Sequence, residues 1–220
     1  GAKHININLI KAGKYQPRTE FDQEALDALA ASIKEKGVLQ PLLVRKQGSN
    51  YELIAGARRW RASKLAGLNE VPVIETDFSD KEVLEVALVE NLLRENLSAI
   101  EEAEGFQRLI NEFSHTQEAL SQIVGKSRSH IANMLRLLGL PKPIQNLIKE
   151  GKLSAGHARA LVGLENAESL AHQIISKDLS VRAVEDLVAK LKNNTVFKAK
   201  KSAKNNDIEQ IEKDLIKSLG

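Results

Sequence analysis

Ile54-Ala55-Gly56-Ala57-Arg58-Arg59-Trp60-Arg61-Ala62-Ser63-Lys64-Leu65-Ala66-Gly67-Leu68 decides how the rest of the chain is read. The apolar run from Tyr51 to Ala55 predicts a strand, Gly56 permits a tight turn, and a helix opens at once and closes at Gly67, placed as a C-terminal cap. Arg58, Arg59 and Arg61 fall in the first turns of that helix, where the dipole favours negative charge and disfavours cations. Free amides and three guanidinium groups at one helix start make a site for a polyanion, most simply a phosphate chain. A basic surface helix with snorkelling arginines is the alternative, and spacing alone does not choose between them.

The 220 residues suffice for one large or two small domains, and 42% apolar content suffices for a packed core. There is no cysteine, which excludes disulfides and thiolate metal sites and fits a reducing cytosol. No apolar run approaches membrane-spanning length and no signal peptide is visible, so no membrane partner is expected. Gly1-Ala2 reads as a cloning remnant. Net charge is only +3, but it is unevenly spread. Eleven acids face three bases from Glu75 to Glu112, and six bases face two acids from Thr116 to Lys152. A basic block is the electrostatic footprint of nucleic-acid binding, and a solvated charged face is the bland alternative.

The first 76 residues predict a small α+β module. Ile5 to Ile10 alternates as a short strand, and Gln16-Pro17-Arg18 follows in a loop. Asp22 caps a helix that Gly37 stops, with Phe21 and Leu26 as a hydrophobic staple and Leu26, Leu29, Ala30 and Ile33 as the buried stripe. Val38 to Lys46 and Tyr51 to Ala55 form a hairpin around Gln47-Gly48-Ser49-Asn50, and Val71 to Thr76 adds a strand. Everything later is helical. Capping boxes at Ser79/Glu82 and Ser98/Glu101 start helices running to about Arg94 and Phe113. Glu90 and Arg94 share one helix face, either as an ordinary ion pair or with Glu90 or Asn91 holding magnesium on a phosphate chain.

Gln117 to Val124, a turn at Gly125, and a Ser127-capped helix from Arg128 to Leu138 form a helix-turn-helix pattern. Ile131, Met134 and Leu135 face inward. Arg128, Ser129, His130 and Asn133 face outward at the start of the recognition helix, where base edges are read. Ser154, Gly156, His157 and Arg159 form a second polar, basic helix start. Two amphipathic helices follow, Ala167 to Lys177 and Val181 to Leu191. Lys192 to Asn206 reads as a lysine-rich linker, and Asp207 to Leu219 as a helix with Ile208, Ile211 and Leu215 on one stripe.

Four ordered blocks resemble the ParB family of partitioning proteins. They are Gln16-Pro17-Arg18 with the Ser32…Gly37-Val38-Leu39-Gln40-Pro41 segment, the Gly-x-Arg-Arg-Trp-Arg-Ala box, the Glu90-Asn91…Arg94 box, and Gly125-Lys126-Ser127-Arg128-Ser129-His130-Ile131-Ala132-Asn133. The resemblance runs from about Ile5 to about Asn193. It implies an α+β chain, with a small N-terminal α/β nucleotide-binding module of the ParB/sulfiredoxin-like kind over residues 1–97 and an all-α helix-turn-helix DNA-binding domain over 98–193. A basic linker over 194–206 and the start of a truncated C-terminal dimerisation domain over 207–220 would complete it. Gln16, Arg18, Ser32, Gly37, Gln40, Gly56, Ala57, Arg58, Arg59, Arg61, Glu90, Asn91 and Arg94 would line a CTP site, with Mg2+ on Glu90 and Asn91. Gln117, Lys126, Ser127, Arg128, Ser129, His130, Asn133, Arg136, Ser154, Gly156, His157 and Arg159 would meet double-stranded DNA at a parS-type inverted repeat.

The function so implied is a cytoplasmic, nucleoid-associated bacterial segregation protein. Its homodimer closes on CTP into a sliding DNA clamp, CTP hydrolysis resets it, and a ParA-type ATPase and an SMC-type condensin partner the full-length protein. One departure bears on the chemistry. The family box reads Gly-Glu-Arg-Arg, and here Ala57 stands in the glutamate's place, so the resemblance implies a CTPase that hydrolyses poorly. A nucleoid-occlusion or plasmid-repressor relative of the same build is the alternative. A sulfiredoxin-like enzyme is a third reading, disfavoured by the basic helix-turn-helix block.

Overall fold

The structure, a computed structural model, describes residues 1–15 and 22–219. The Phe21–Leu26 staple therefore lies outside the described residues. The chain forms two compact units, residues 1–97 with 105–126, and residues 98–104 with 127–220. Residues 105–126 thus group with the first unit, whereas the sequence places them in the segment 98–193.

The first unit is built on β1 (Lys3–Asn6), β2 (Ile10–Lys11), α1 (Gln23–Lys36), β3 (Leu42–Gln47), β4 (Asn50–Ala55), α2 (Ala57–Leu65), β5 (Glu70–Thr76) and α3 (Asp80–Leu92). It also holds most of α4 (Ala99–Phe113) and all of α5 (Gln117–Val124). The single strand expected from Ile5 to Ile10 is instead two, parted by a 3-10 turn at Ile7–Leu9. Asn6 causes the break: its side chain accepts from the Asn8 amide and caps the turn, an option open to short polar side chains. The strand order is β1-β5-β3-β4-β2. β1 pairs antiparallel with β5, and β2 pairs parallel with β4. β1 and β2 are thus opposite edges joined by a three-residue turn. From Asn6 to Ile10 the chain can reach at most about 14 Å, whereas the edges of a flat five-stranded sheet would lie about 19 Å apart. The sheet must curl, and Lys3 Nζ accordingly lies 5.5 Å from the centroid of the Tyr51 ring on β4.

Alternation along the strands places Ile5, Leu42, Val44, Leu53, Val71 and Val73 in one core with Ile7, Ile10 and Trp60. Leu26, Ala30 and Ile33 of α1 pack with Ala62 of α2 beside it, the stripe that the helical period predicts. On β3, Arg45 is fastened from three sides. Its Nε donates to Glu52 at 2.6 Å, Nη2 to Asp80 at 2.7 Å and Nη1 to the Phe78 carbonyl at 3.1 Å. This ties the start of α3 to the sheet.

The second unit contains the first turn of α4, then α6 (Arg128–Leu137), α7 (Lys142–Lys149), α8 (Ala155–Leu161), α9 (Ala167–Lys177) and α10 (Val181–Leu219). Ile100, Leu137, Ile144, Leu161, Leu170, Ile174 and Val184 are central to its core. Residues 194–206, read from composition as a linker, are helical, and α10 runs through them unbroken for 39 residues. No glycine or proline occurs from 164 to 219, and lysine and alanine are good helix formers. The polar composition marked exposure rather than a break.

Candidate nucleotide cleft and DNA-facing helices

Gly56 sits at φ 100°, ψ 30°, the left-handed region. A Cβ there would come within 2.7 Å of Leu42 Cδ2 and 3.3 Å of Arg59 Nη2. Backbone and space both call for glycine. As N-cap of α2 it offers no side-chain hydrogen bond, so the first amides of α2 are left to an acceptor from elsewhere. Glu90, near the end of α3, lies close to this turn. Burial pushes its carboxyl above the ordinary glutamate range, while the Gly56 backbone N–H and the Arg59 charge pull the other way.

A cleft of about 660 Å³ opens here, lined by Asp22, Ala25, Arg58, Glu90, Leu93, Arg94, Glu95 and Asn96. That is the size of a small-molecule site. Arg94 Nη1 donates to Asn91 Oδ1 at 3.0 Å, which fixes both side chains on the rim. Among the described residues no three His, Cys, Asp or Glu side chains cluster to hold a metal by themselves.

In the second unit, Ser127 Oγ caps α6 by accepting from the His130 amide at 3.0 Å. Arg128 and Ser129 are exposed in its first turn, as is Arg136 further along. No helix among the described residues is long and apolar enough to cross a membrane.

Two domain models match the chain. The ParB N-terminal domain covers residues 2–92, and the ParB helix-turn-helix domain covers 95–193. The chromosome-partitioning protein ParB of Myxococcus xanthus is 51% identical over 206 residues, 92% of this chain and 70% of that protein. The chain belongs to the ParB family. The C-terminally truncated ParB of Caulobacter crescentus complexed to the centromeric parS site is 41% identical, with a TM-score of 0.76 over 86% of this chain and 99% of that one. A second structure of Caulobacter ParB, complexed with CTP-gamma-S, is 44% identical over 80% of this chain and 99% of that one, with a TM-score of 0.40, so the likeness of fold rests on the parS complex.

The ParB motifs are not all gathered by the cleft. Arg58, Glu90 and Arg94 line it, and Gly56 and Asn91 adjoin it. Gln16 and Arg18 lie outside the described residues. Arg59 is occupied: its Nη1 donates to the carbonyls of Gln40 at 2.8 Å and Pro41 at 2.9 Å. It clips the loop after Gly37 to the start of α2, so Gln40 contributes its backbone here. Arg61 is not among the lining residues and instead sits close enough to Lys64 to depress it, after burial and Lys11. Lys64 Nζ in turn lies 3.7 Å from the centroid of the Trp60 ring. Ala57 packs its methyl against the sheet core, and Ser32 is exposed on α1. Sequence reading missed Asp22, Glu95 and Asn96 as lining residues. Asp22 was legible only as a cap, a role it also fills by accepting from the Glu24 amide, whereas Glu95 and Asn96 directly follow the Glu90…Arg94 box.

The set expected to meet DNA divides as well. His130 was expected to face outward. It is half-buried instead, with Nε2 2.7 Å from Glu102 Oε1 on α4. His157 is held on both ring nitrogens, with Nδ1 2.6 Å from Ser154 Oγ and Nε2 donating to the Leu179 carbonyl at 2.7 Å. Gly156 lets α8 approach α10, since a Cβ there would lie 3.2 Å from Val181 Cγ2. These two residues serve packing. Lys126, Arg159 and Ser154 are exposed, and Asn133 and Gln117 are half-buried.

Proposed function

We propose that this chain is a CTP-gated, site-specific DNA-binding partition protein. The observation that carries the reading is the cleft in which Arg58, Arg94 and a half-buried Glu90 meet the uncapped glycine turn of α2. A triphosphate would set its oxygens against the free amides of α2 and against Arg58. Glu90 would repel that anion unless a cation lies between them. Magnesium suits the position, because it takes one or two protein oxygens and lets phosphates and water supply the rest. Glu90 and Asn91 offer the two oxygens, and bound magnesium would neutralise charge on the phosphates. The exposed first turn of α6, with Arg128 and Ser129, would read an inverted repeat of the parS kind from the major groove. A dimer of such chains would close its N-terminal modules on CTP and hold DNA as a clamp, in cooperation with a ParA-type ATPase and an SMC-type condensin.

At Ala57 a methyl replaces the carboxylate that could orient attacking water, so hydrolysis is slow and the closed state long-lived. The test is binding of labelled CTP, ATP and GTP with magnesium, with and without a parS duplex, followed by phosphate release from the wild type and Ala57→Glu. The expectation is CTP-selective binding raised by the duplex, little phosphate release, and about a hundredfold faster release in the variant, the low end of what a positioned acid or base contributes. Absence of nucleotide preference would remove the CTP half of the reading. Unchanged turnover in Ala57→Glu would remove the account of slow hydrolysis.

A further inference from the structure

The helix-turn-helix model stops at residue 193, and just there α10 carries the strongest charge that the reading above leaves unused. Between Asp186 and Asp207 there is no acid, and there are six lysines: Lys190, Lys192, Lys198, Lys200, Lys201 and Lys204. Every residue from Lys192 to Lys204 is exposed, and no ion pair engages any of these lysines among the described residues. At 3.6 residues per turn, all but Lys192 fall within an arc of about 160°. Phe197, 78% exposed, stands in the middle of that arc. The opposite arc carries small or weakly polar residues such as Thr195, Ala199, Ser202 and Ala203.

We propose that this lysine face is a second, sequence-independent contact to the duplex DNA backbone. It adds to the helix-turn-helix reading and does not depend on it. From Lys190 to Lys204 the face is about 21 Å long. Duplex DNA presents one negative charge per about 1.7 Å of axis, a continuous line of charge over that length. An anionic membrane would need a broad apolar face beneath the lysines, and the residues opposite are too small and polar to supply one. Like charges at helical-neighbour spacing, Lys198 with Lys201 and Lys200 with Lys204, repel and weaken the free helix. A polyanion relieves that repulsion, which adds to binding.

The test uses the whole chain and a random-sequence duplex of 40 base pairs, titrated from 50 to 200 mM salt. Lys198→Gln, Lys200→Gln, Lys201→Gln and Lys204→Gln together keep helix propensity and remove four charges. The slope of log affinity against log salt is expected to shrink by about 3 to 4, at roughly 0.9 per lost phosphate contact, with affinity at 50 mM falling at least tenfold. Four arginines at the same positions should restore both. Circular dichroism on wild type and variant confirms that the helix is retained. An unchanged slope and affinity in the glutamine variant would overturn the proposal. So would an equal loss on phosphatidylglycerol vesicles, which would assign the face to membranes. Failure of the wild type to prefer the parS duplex over the random one would instead defeat the helix-turn-helix reading and leave the lysine-dependent slope standing.

Discussion

A methyl group at position 56 would meet Leu42 Cδ2 at 2.7 Å on a backbone that already sits at φ 100°. Gly56→Ala should therefore cost at least about 2 kcal/mol, combining left-handed strain with overpacking, read as a lower urea midpoint of the first unit. Glu90 gives a prediction of opposite sign. Folding holds its pKa above the unfolded value, chiefly by burial. Its contribution is thus favourable below the ordinary glutamate pKa of about 4.3 and is lost as pH rises through the raised folded value. Glu90→Gln should raise the ligand-free unfolding midpoint at pH 7, with the gain fading toward pH 4, while magnesium-dependent nucleotide binding falls. A gain of equal size at both pH values would show that ionisation is not its source. Gly56 was legible in the sequence because a glycine between a strand and a helix leaves few alternatives. The burial of Glu90 and the two carbonyls that occupy Arg59 were not, because the partners lie on a different helix and a different loop.

Among the elements, α8 and α10 meet at Gly156 and Val181, where an added Cβ would lie 3.2 Å from Cγ2. Gly156→Ala sets a helix-propensity gain of about 0.5 to 1 kcal/mol against this tight contact, so the substitution should be more favourable in a Val181→Ala background than in the wild type. A double-mutant cycle measures this coupling, and strictly additive effects would separate the two residues. Local pattern gave the bounds of α5 to within the residue, Gln117–Val124, and α6 to within one, because caps and apolar period agree there. It failed at β1 and β2, where apolar alternation continues through a turn that Asn6 caps. In α10 it gave the helix at both ends and missed its middle, where polarity stood in for a break that no residue makes.

For the molecule as a whole, order of motifs fixed the fold class, while the grouping of residues 105–126 with the first unit depends on contacts between distant segments that no local period records. The chain has one tryptophan, and Trp60 is buried in the first unit. Its fluorescence therefore reports on that unit. With CTP and magnesium at a hundredfold over Kd, linkage should add about 2.7 kcal/mol to the Trp60-monitored unfolding free energy, and a midpoint insensitive to CTP would count against a nucleotide site in this unit. α10 adds a mechanical consequence. From Lys192 to Ser218 every residue is exposed, so about 40 Å of helix projects beyond its own core. Such a rod sets distance and bearing together. Each inserted residue would advance its tip by about 1.5 Å and swing it by about 100°. Seven inserted residues would return nearly the original bearing, about 20° off, some 10 Å farther out. Chain length here works as a ruler and a protractor read off the same helix.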